Sequence, residues 1–299
     1  MHVCLCSVRT DAVGPALPNL MTLRKHHKGS SIRRVCFGDD SLLFTAAKTV
    51  KVHDVDAGKT IRKIGSATGE SRIYSMCVID KYLLATGDDA GVFRLWDYRT
   101  NRGVAMELKE FDDYVSDLDV QADKRLVLAS SGEGTIAAFN VRAKRMEPPQ
   151  SEVFEAGFNC IRSLDGRNKV LAGSDDGVIS IFNKNQLGNI SDRFPIDSSV
   201  SIERMLVLSG SHVAVGCNDG KTRVVHILPN KVVKDLFTHN TPIESLSLQR
   251  STNTIASLDC NVIKVAHFEE QEAMDGDSSA DSDAESQPAK TKEGFFSDL

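Results

Sequence analysis

Three stretches of the chain gather side chains that could do chemistry. In "GDDAGVFRLWD", residues 87–97, Asp88 and Asp89 are followed by Asp97, with the only tryptophan, Trp96, beside it. Neighbouring carboxylates can act as general acid and base when their surroundings drive their pKa values apart. "GCNDGKT", 216–222, is similar to the phosphate-cradling G-x-x-x-x-G-K-[ST] loop. Gly216 stands one residue too close to Gly220, however, and a strand-like run follows where that loop needs a helix. "AGKT", 57–60, fails too, because His53 occupies the required glycine position. No G-x-S-x-G, H-E-x-x-H or calcium-loop pattern occurs. The histidines are scattered: His26 and His27 sit in a basic "RKHHK" connection and His239 in another, as loop or hydrogen-bonding residues. Cys36, Cys77, Cys160, Cys217 and Cys260 each lie singly in apolar, strand-like runs without metal-ligand spacing. They are expected to be buried, reduced thiols. The expectation is a protein that is not an enzyme, with no metal, no cofactor and no small-molecule substrate.

The elements that carry these residues explain the opening stretch. Gly91, Gly134, Gly177 and Gly220 recur at a constant interval, each followed five residues later by Trp96, Phe139, Phe182 or Val225 and then by Asp97, Asn140, Asn183 or His226. The flanks agree: "LASSGEGTIAAFN" and "LAGSDDGVISIFN" repeat "LLATGDDAGVFRLWD". One period back lies "LLFTAAKTVKVHD", and a slightly shortened copy, "TIASLDCNVIKVAHF", ends the series, giving six copies. Within each copy apolar and polar residues alternate at period two, the pattern of strands. The second copy reads as strands over 72–79, 82–87, 92–98 and 104–110. The Gly step between second and third strands fits a tight hairpin, where glycine takes positive φ without steric cost. Four strands per repeat of this length define a propeller blade. Trp96 is then expected to fill the gap between blades and Asp97 to tie down a strand end. Asp88 and Asp89 become turn residues, not an acid–base pair.

The fold class is therefore all-β, a β-propeller with six recognisable repeats over residues 20–268. The last copy stops after its third strand, 262–268. Two closures are open. "NLMTLRK" (19–25) could supply the missing outer strand of a closed six-bladed ring. Alternatively, "HVCLCSV" (2–8) and "NLMTLRK" are the third and fourth strands of a seventh blade whose first half is absent. We expect the seven-bladed ring with a truncated first blade, residues 1–19 being a leader or a remnant of that blade. The longest apolar runs are four to six residues, so no membrane span is expected.

Charge is uneven along the chain. Residues 269–299 hold ten Asp/Glu against two Lys, which leaves a nearly neutral, slightly basic body. That tail is expected to be disordered, being poor in apolar residues and rich in Ser, Asp and Glu. Ser278 and Ser282 each precede an acidic residue by three positions, the context of an acidophilic kinase. The terminal "KEGFFSDL" places Phe295, Phe296 and Leu299 outside any core, as a short partner-docking motif would. The small positive charge of the body is far from a nucleic-acid footprint, and only "RKHHK", "SIRR" and "VRAKR" hint at RNA. Direct RNA contact is left open.

With the repeats laid out, the chain looks like a WD-repeat protein, and more narrowly it resembles the WD repeat-containing protein 55 family. "LATGDDAGVFRLWD" (84–97), "SDRF" (191–194), "ILPNKVV" (227–233) and the acidic tail with its "FF..L" end carry the resemblance. The resemblance implies a seven-repeat, non-enzymatic scaffold in the nucleus and nucleolus, with some cytoplasmic presence. Its implied role is to modulate ribosomal RNA synthesis and processing through protein partners in pre-ribosomal assemblies. A second reading rests on "LWDYR": Trp96, Asp97 and Arg99 match a W-D-x-R element by which some WD-repeat proteins dock on the cullin-4 ubiquitin-ligase adaptor. The residues before it carry one extra position between Thr86 and Trp96 relative to that motif.

Overall fold

The structure is a computed structural model that describes residues 2–6, 19–24, 27, 30–38, 41–65, 71–100 and 103–269. The repeat dictates its hairpins. Gly91, Gly134, Gly177 and Gly220 all have φ between 78° and 84°. A Cβ at Gly91 would also lie 2.1 Å from the Phe111 carbonyl oxygen, and one at Gly177 2.0 Å from that of Asp197. Glycine is thus required twice, for the turn and for the close approach of the connection leading to the next blade.

Each repeat folds into an antiparallel sheet whose strands neighbour one another in chain order. Blade I comprises Arg34–Phe37, Leu42–Ala46, Val50–Asp54 and Lys59–Ile64. Blade II comprises Ile73–Val78, Leu83–Asp88, Val92–Asp97 and Val104–Lys109, within a residue of the expected strands. Blade III runs through Val115–Val120, Leu126–Ser131, Ile136–Asn140 and Arg145–Glu147. Blade IV has Phe158–Leu164, Lys169–Ser174, Val178–Asn183 and Gln186–Pro195, with a single 3-10 turn at Asp165–Arg167. Blade V has Ile202–Val207, His212–Cys217, Lys221–His226 and Lys231–Thr238. Blade VI has three strands, Ser245–Gln249, Thr254–Leu258 and Ile263–His267. The described residues contain no α-helix.

The N-terminal strands do not close the ring in the way considered for six blades. Asn19–Arg24 pairs with His2–Cys6, in a separate two-stranded antiparallel sheet, and not with Ile263–His267. The tail from residue 270 onward, with Ser278, Ser282, Phe295, Phe296 and Leu299, lies outside the described residues.

The core is built between blades. Phe44, Val52, Ile64, Met76, Leu84 and Trp96 form one cluster across blades I and II. Phe93 of blade II stacks on Phe139 of blade III at 4.0 Å between centroids and 3° between planes. Phe158 and Phe182 of blade IV join Leu128 and Ile136 of blade III. Ile179 and Ile181 pack with Met205, Val213 and Val225 of blade V. Cys160 and Cys217 are buried, as expected, and burial pushes their thiols up to about 12 and about 11. Cys36 and Cys77 are only half-buried. Cys260 departs from expectation: it sits exposed in the turn between the last two strands, because "SLDCNV" is a hairpin and not strand interior.

Candidate interaction surfaces

The carboxylates of the opening stretch are spent on structure. Asp88 is buried; its Oδ1 accepts the backbone N–H groups of Ala90 and Val92, closing the hairpin. Its Oδ2 takes Arg94 Nη1 at 2.5 Å, and Arg94 Nε reaches Glu107 at 2.7 Å. Asp89 Oδ1 accepts the Arg72 N–H from the preceding connection. Both act as turn residues, as the repeat requires, and Asp88 in addition neutralises a buried guanidinium that sequence reading missed. The signal was there: Arg94 is the one charge inside the otherwise apolar run "VFRLW".

Trp96 is 2% exposed, and its Nε1 donates to Thr86 Oγ1 at 2.8 Å. The ring's outer edge abuts Gly65, where a Cβ would lie 2.5 Å from it. So Trp96 packs between blades and offers nothing to a partner directly. Asp97 Oδ1 accepts the Arg99 N–H, and Asn140 Oδ1 plays the same part for Arg142 and Ala143. Of Trp96, Asp97 and Arg99, the first is buried, the second half-buried and the third exposed. The Arg99 guanidinium pairs with Asp97 Oδ2 at 2.6 Å and lies over the Tyr82 ring at 4.4 Å. The hydrogen bonds from Arg99 hold the Asp97 carboxyl below the usual carboxylate range.

A second cluster lines the axis, on the first strands of the blades. Asp117 of blade III accepts Arg162 Nη1 at 2.5 Å and faces Arg34 Nη2 at 3.5 Å. Arg34 also donates to the backbone carbonyls of Tyr74 and Ser116. Burial pushes the Asp117 carboxyl up, but Arg162, Arg34 and Arg204 outweigh it and hold it below the usual range. At Asp119 burial wins, and its pKa is raised. Carboxylates pushed apart in this way can mark an acid–base pair. Here each is committed to the backbone of blade IV: Asp117 Oδ2 accepts the Ile161 N–H and Asp119 Oδ2 the Ser163 N–H. They stitch the inner strands of blades III and IV together. The charges inside "VSDLDV" and "FNCIRSL" are the sequence signature of this network.

The apolar surface breaks where blade VI would meet blade I. Val265 holds the register position of Leu95, Ile181 and Val224, which are at most 1% exposed; Leu95 and Ile181 sit in cores that reach the following blade. Val265 is 39% exposed, and Ile263 beside it is exposed too. Val35 holds the position of Met76, Leu118, Ile161 and Met205, all buried, yet it is exposed, as is Phe37. Both walls of this seam are thus apolar and uncovered.

Sheets of this kind, repeated about an axis and joined hairpin to hairpin, define a WD-repeat β-propeller. Comparison with known proteins narrows the class. The chain is similar to WD repeat-containing protein 55 of Bos taurus, 36% identical over 235 residues, 77% of this chain and 60% of that protein. The Homo sapiens protein of the same description is 34% identical over the same span. The Drosophila melanogaster homolog is 34% identical over 242 residues, 80% of this chain and 47% of that protein. The resemblance to the WD repeat-containing protein 55 family thus holds over most of the chain, which spans about half to three-fifths of the length of these relatives. No protein-family model matches. Among solved structures, the crystal structure of the computationally designed Ika8 protein superposes with a TM-score of 0.66 at 19% identity. It covers 84% of this chain and 74% of that one, a likeness of fold alone.

Proposed function

We propose that the chain is a non-enzymatic interaction scaffold of the nucleolus, serving ribosomal RNA synthesis and processing within pre-ribosomal assemblies, with a cytoplasmic pool besides. The observation that carries this reading is the likeness to WD repeat-containing protein 55 on a propeller whose buried polar groups stitch blades together. A rigid ring of this kind holds varied loops in fixed relation, which suits the gathering of protein partners. The seven-bladed ring belongs to the same reading. The interval from Asn19 to Arg34 falls within that from each fourth strand to the next first strand, as from Val104 to Val115 or Gln186 to Ile202. His2–Cys6 and Asn19–Arg24 are then the outer strands of a seventh unit between blades VI and I, at the seam whose walls carry the exposed Val35, Phe37, Ile263 and Val265. In the tail, Phe295, Phe296 and Leu299 dock a partner, and phosphorylation of Ser278 and Ser282 adds to the tail's negative charge.

The test is a tagged pull-down from nuclear extract, with and without RNase, read by mass spectrometry. Pre-ribosomal proteins that survive RNase support the reading; their absence from both samples refutes it. The cullin-4 adaptor reading is kept because Arg99 is exposed and held in one orientation by Asp97 and Tyr82. Chief recovery of that adaptor, lost on Arg99→Ala, would make it the leading function.

A further inference from the structure

The strands of a blade alternate in direction, so all turns between first and second and between third and fourth strands gather on one face of the ring. The second-to-third turns and the connections to the next blade gather on the other. From blade II to blade V the two faces differ sharply in charge. Between residues 89 and 244, the connections on the second face contain no Lys or Arg, while Asp89, Asp112, Asp113, Glu152, Glu155 and Asp175 all stand exposed there. The first face carries Lys124, Arg125, Arg142, Lys144, Arg167 and Lys184 in four successive turns.

The few acids on the basic face are engaged by its own turns. Asp80 Oδ1 accepts the N–H groups of Tyr82 and Leu83, and Asp123 Oδ1 that of Arg125. Asp165 pairs with Lys184 at 2.7 Å. Lys124, Arg125, Arg142 and Lys144 are exposed and form no ion pair among the described residues. Arg125 and Lys184 line one cavity of about 330 Å³ that runs from blade III to blade IV. On blade II the same face offers a half-exposed aromatic ring, Tyr82, with Lys81 Nζ at 4.9 Å and Arg99 Cζ at 4.4 Å from its centroid.

We infer that this face binds single-stranded RNA, its phosphates on Lys124, Arg125, Arg142 and Lys144 of blade III and a base stacked on Tyr82. An unpaired cationic surface beside an exposed aromatic ring is how single strands are held without sequence preference. The acidic opposite face repels the same ligand and so fixes which side is used. A polyglutamate segment could use the cations but has no π-face to set on the ring. The inference stands apart from the protein-scaffold reading: partners that survive RNase test that one, and direct binding tests this one.

The experiment is fluorescence anisotropy of a labelled 20-nucleotide uridine-rich RNA with the purified full chain. With about four phosphates neutralised, the slope of log K against log salt is about −3, so affinity falls about fifty-fold between 50 and 200 mM salt. Lys124→Glu/Arg125→Glu/Lys144→Glu is expected to weaken binding at least tenfold with an unchanged thermal unfolding curve. Glu152→Lys/Glu155→Lys, on the other face, is expected not to weaken it. Tyr82→Ala is expected to weaken RNA binding several-fold and to leave capture of a polyglutamate peptide unaffected. Absence of RNA binding at 50 mM salt, or wild-type affinity in the triple variant, overturns the inference. So does polyglutamate bound as tightly as RNA with no effect of Tyr82→Ala, which would assign the face to an acidic protein segment.

Discussion

Trp96 and Thr86 form a pair whose coupling can be measured. The indole N–H is out of reach of water and has one acceptor, Thr86 Oγ1 at 2.8 Å. Thr86→Ala strands that donor, at a cost of about 1–3 kcal/mol. Trp96→Phe strands the buried Thr86 hydroxyl instead, and loses the ring edge that fills the space beside Gly65 and Gly103, for about 2–4 kcal/mol in all. The double variant leaves nothing unpaired and pays only for packing. The repeats support this account. His53 Nε2 meets Thr45 Oγ1 at 2.9 Å in blade I, whereas in blades III and IV the register positions of Trp96 and Thr86 are held by Phe139 with Ala129 and by Phe182 with Ala172. Ring nitrogen goes with threonine, phenyl with alanine. The double variant should therefore be more stable than the sum of the two single losses by about 1–2 kcal/mol. Urea denaturation of all four proteins, followed by far-UV circular dichroism, measures this. As Trp96 is the sole tryptophan, its emission also checks that Thr86→Ala leaves the ring buried. Additivity within about 0.5 kcal/mol would sink the argument.

Three further outcomes follow from the geometry. Gly177→Ala forces a side chain onto the Asp197 carbonyl oxygen at a φ of 78°, and should cost at least about 2 kcal/mol, read as a lowered urea midpoint. Asp88→Ala leaves Arg94 buried beside an exposed Glu107 and should cost about 3 kcal/mol, while Arg99→Ala, on an exposed pair, should cost less than about 1 kcal/mol in the same assay. The folded-state pKa of Asp117 is lowered, so its stabilisation is present above its unfolded value of about 3.9 and is lost as pH falls through the folded value. Asp119, with a raised pKa, acts in the opposite sense and gains on acidification. Urea midpoints between pH 2.5 and 7 should therefore fall less steeply below about pH 4 in Asp117→Asn than in the wild type, from a lower starting stability at pH 7. An unchanged slope in that variant would show that Asp117 carries none of the acid sensitivity.

Much of this was readable in the residues because the repeat samples the same problem several times. Gly91 and its three counterparts announce a hairpin, and Trp96, Phe139 and Phe182 announce a packed face, since only a strand of fixed register keeps such residues in phase. Single-copy features were harder. Asp117 and Arg162 are far apart in sequence and meet only because successive first strands line the axis. Pairing of Asn19–Arg24 with His2–Cys6, and not with Ile263–His267, depends on which partner edge is nearer in space, which periodicity does not encode.

The charge division between the faces was hidden for a related reason. Along the chain, turns of the two faces alternate: Lys124 and Arg125 lie in one, Glu133 in the next, Arg142 and Lys144 after that, then Glu152 and Glu155. Any window wide enough to smooth composition averages the two signs, and the body as a whole comes out nearly neutral. The strands act as a sorting device. Each reverses the chain once, so a charge pattern that alternates at the period of the hairpins becomes two separate surfaces in space. Net charge is then a poor guide to the ligands of a propeller. The sign of each turn, assigned to a face by its place between strands, carries the information.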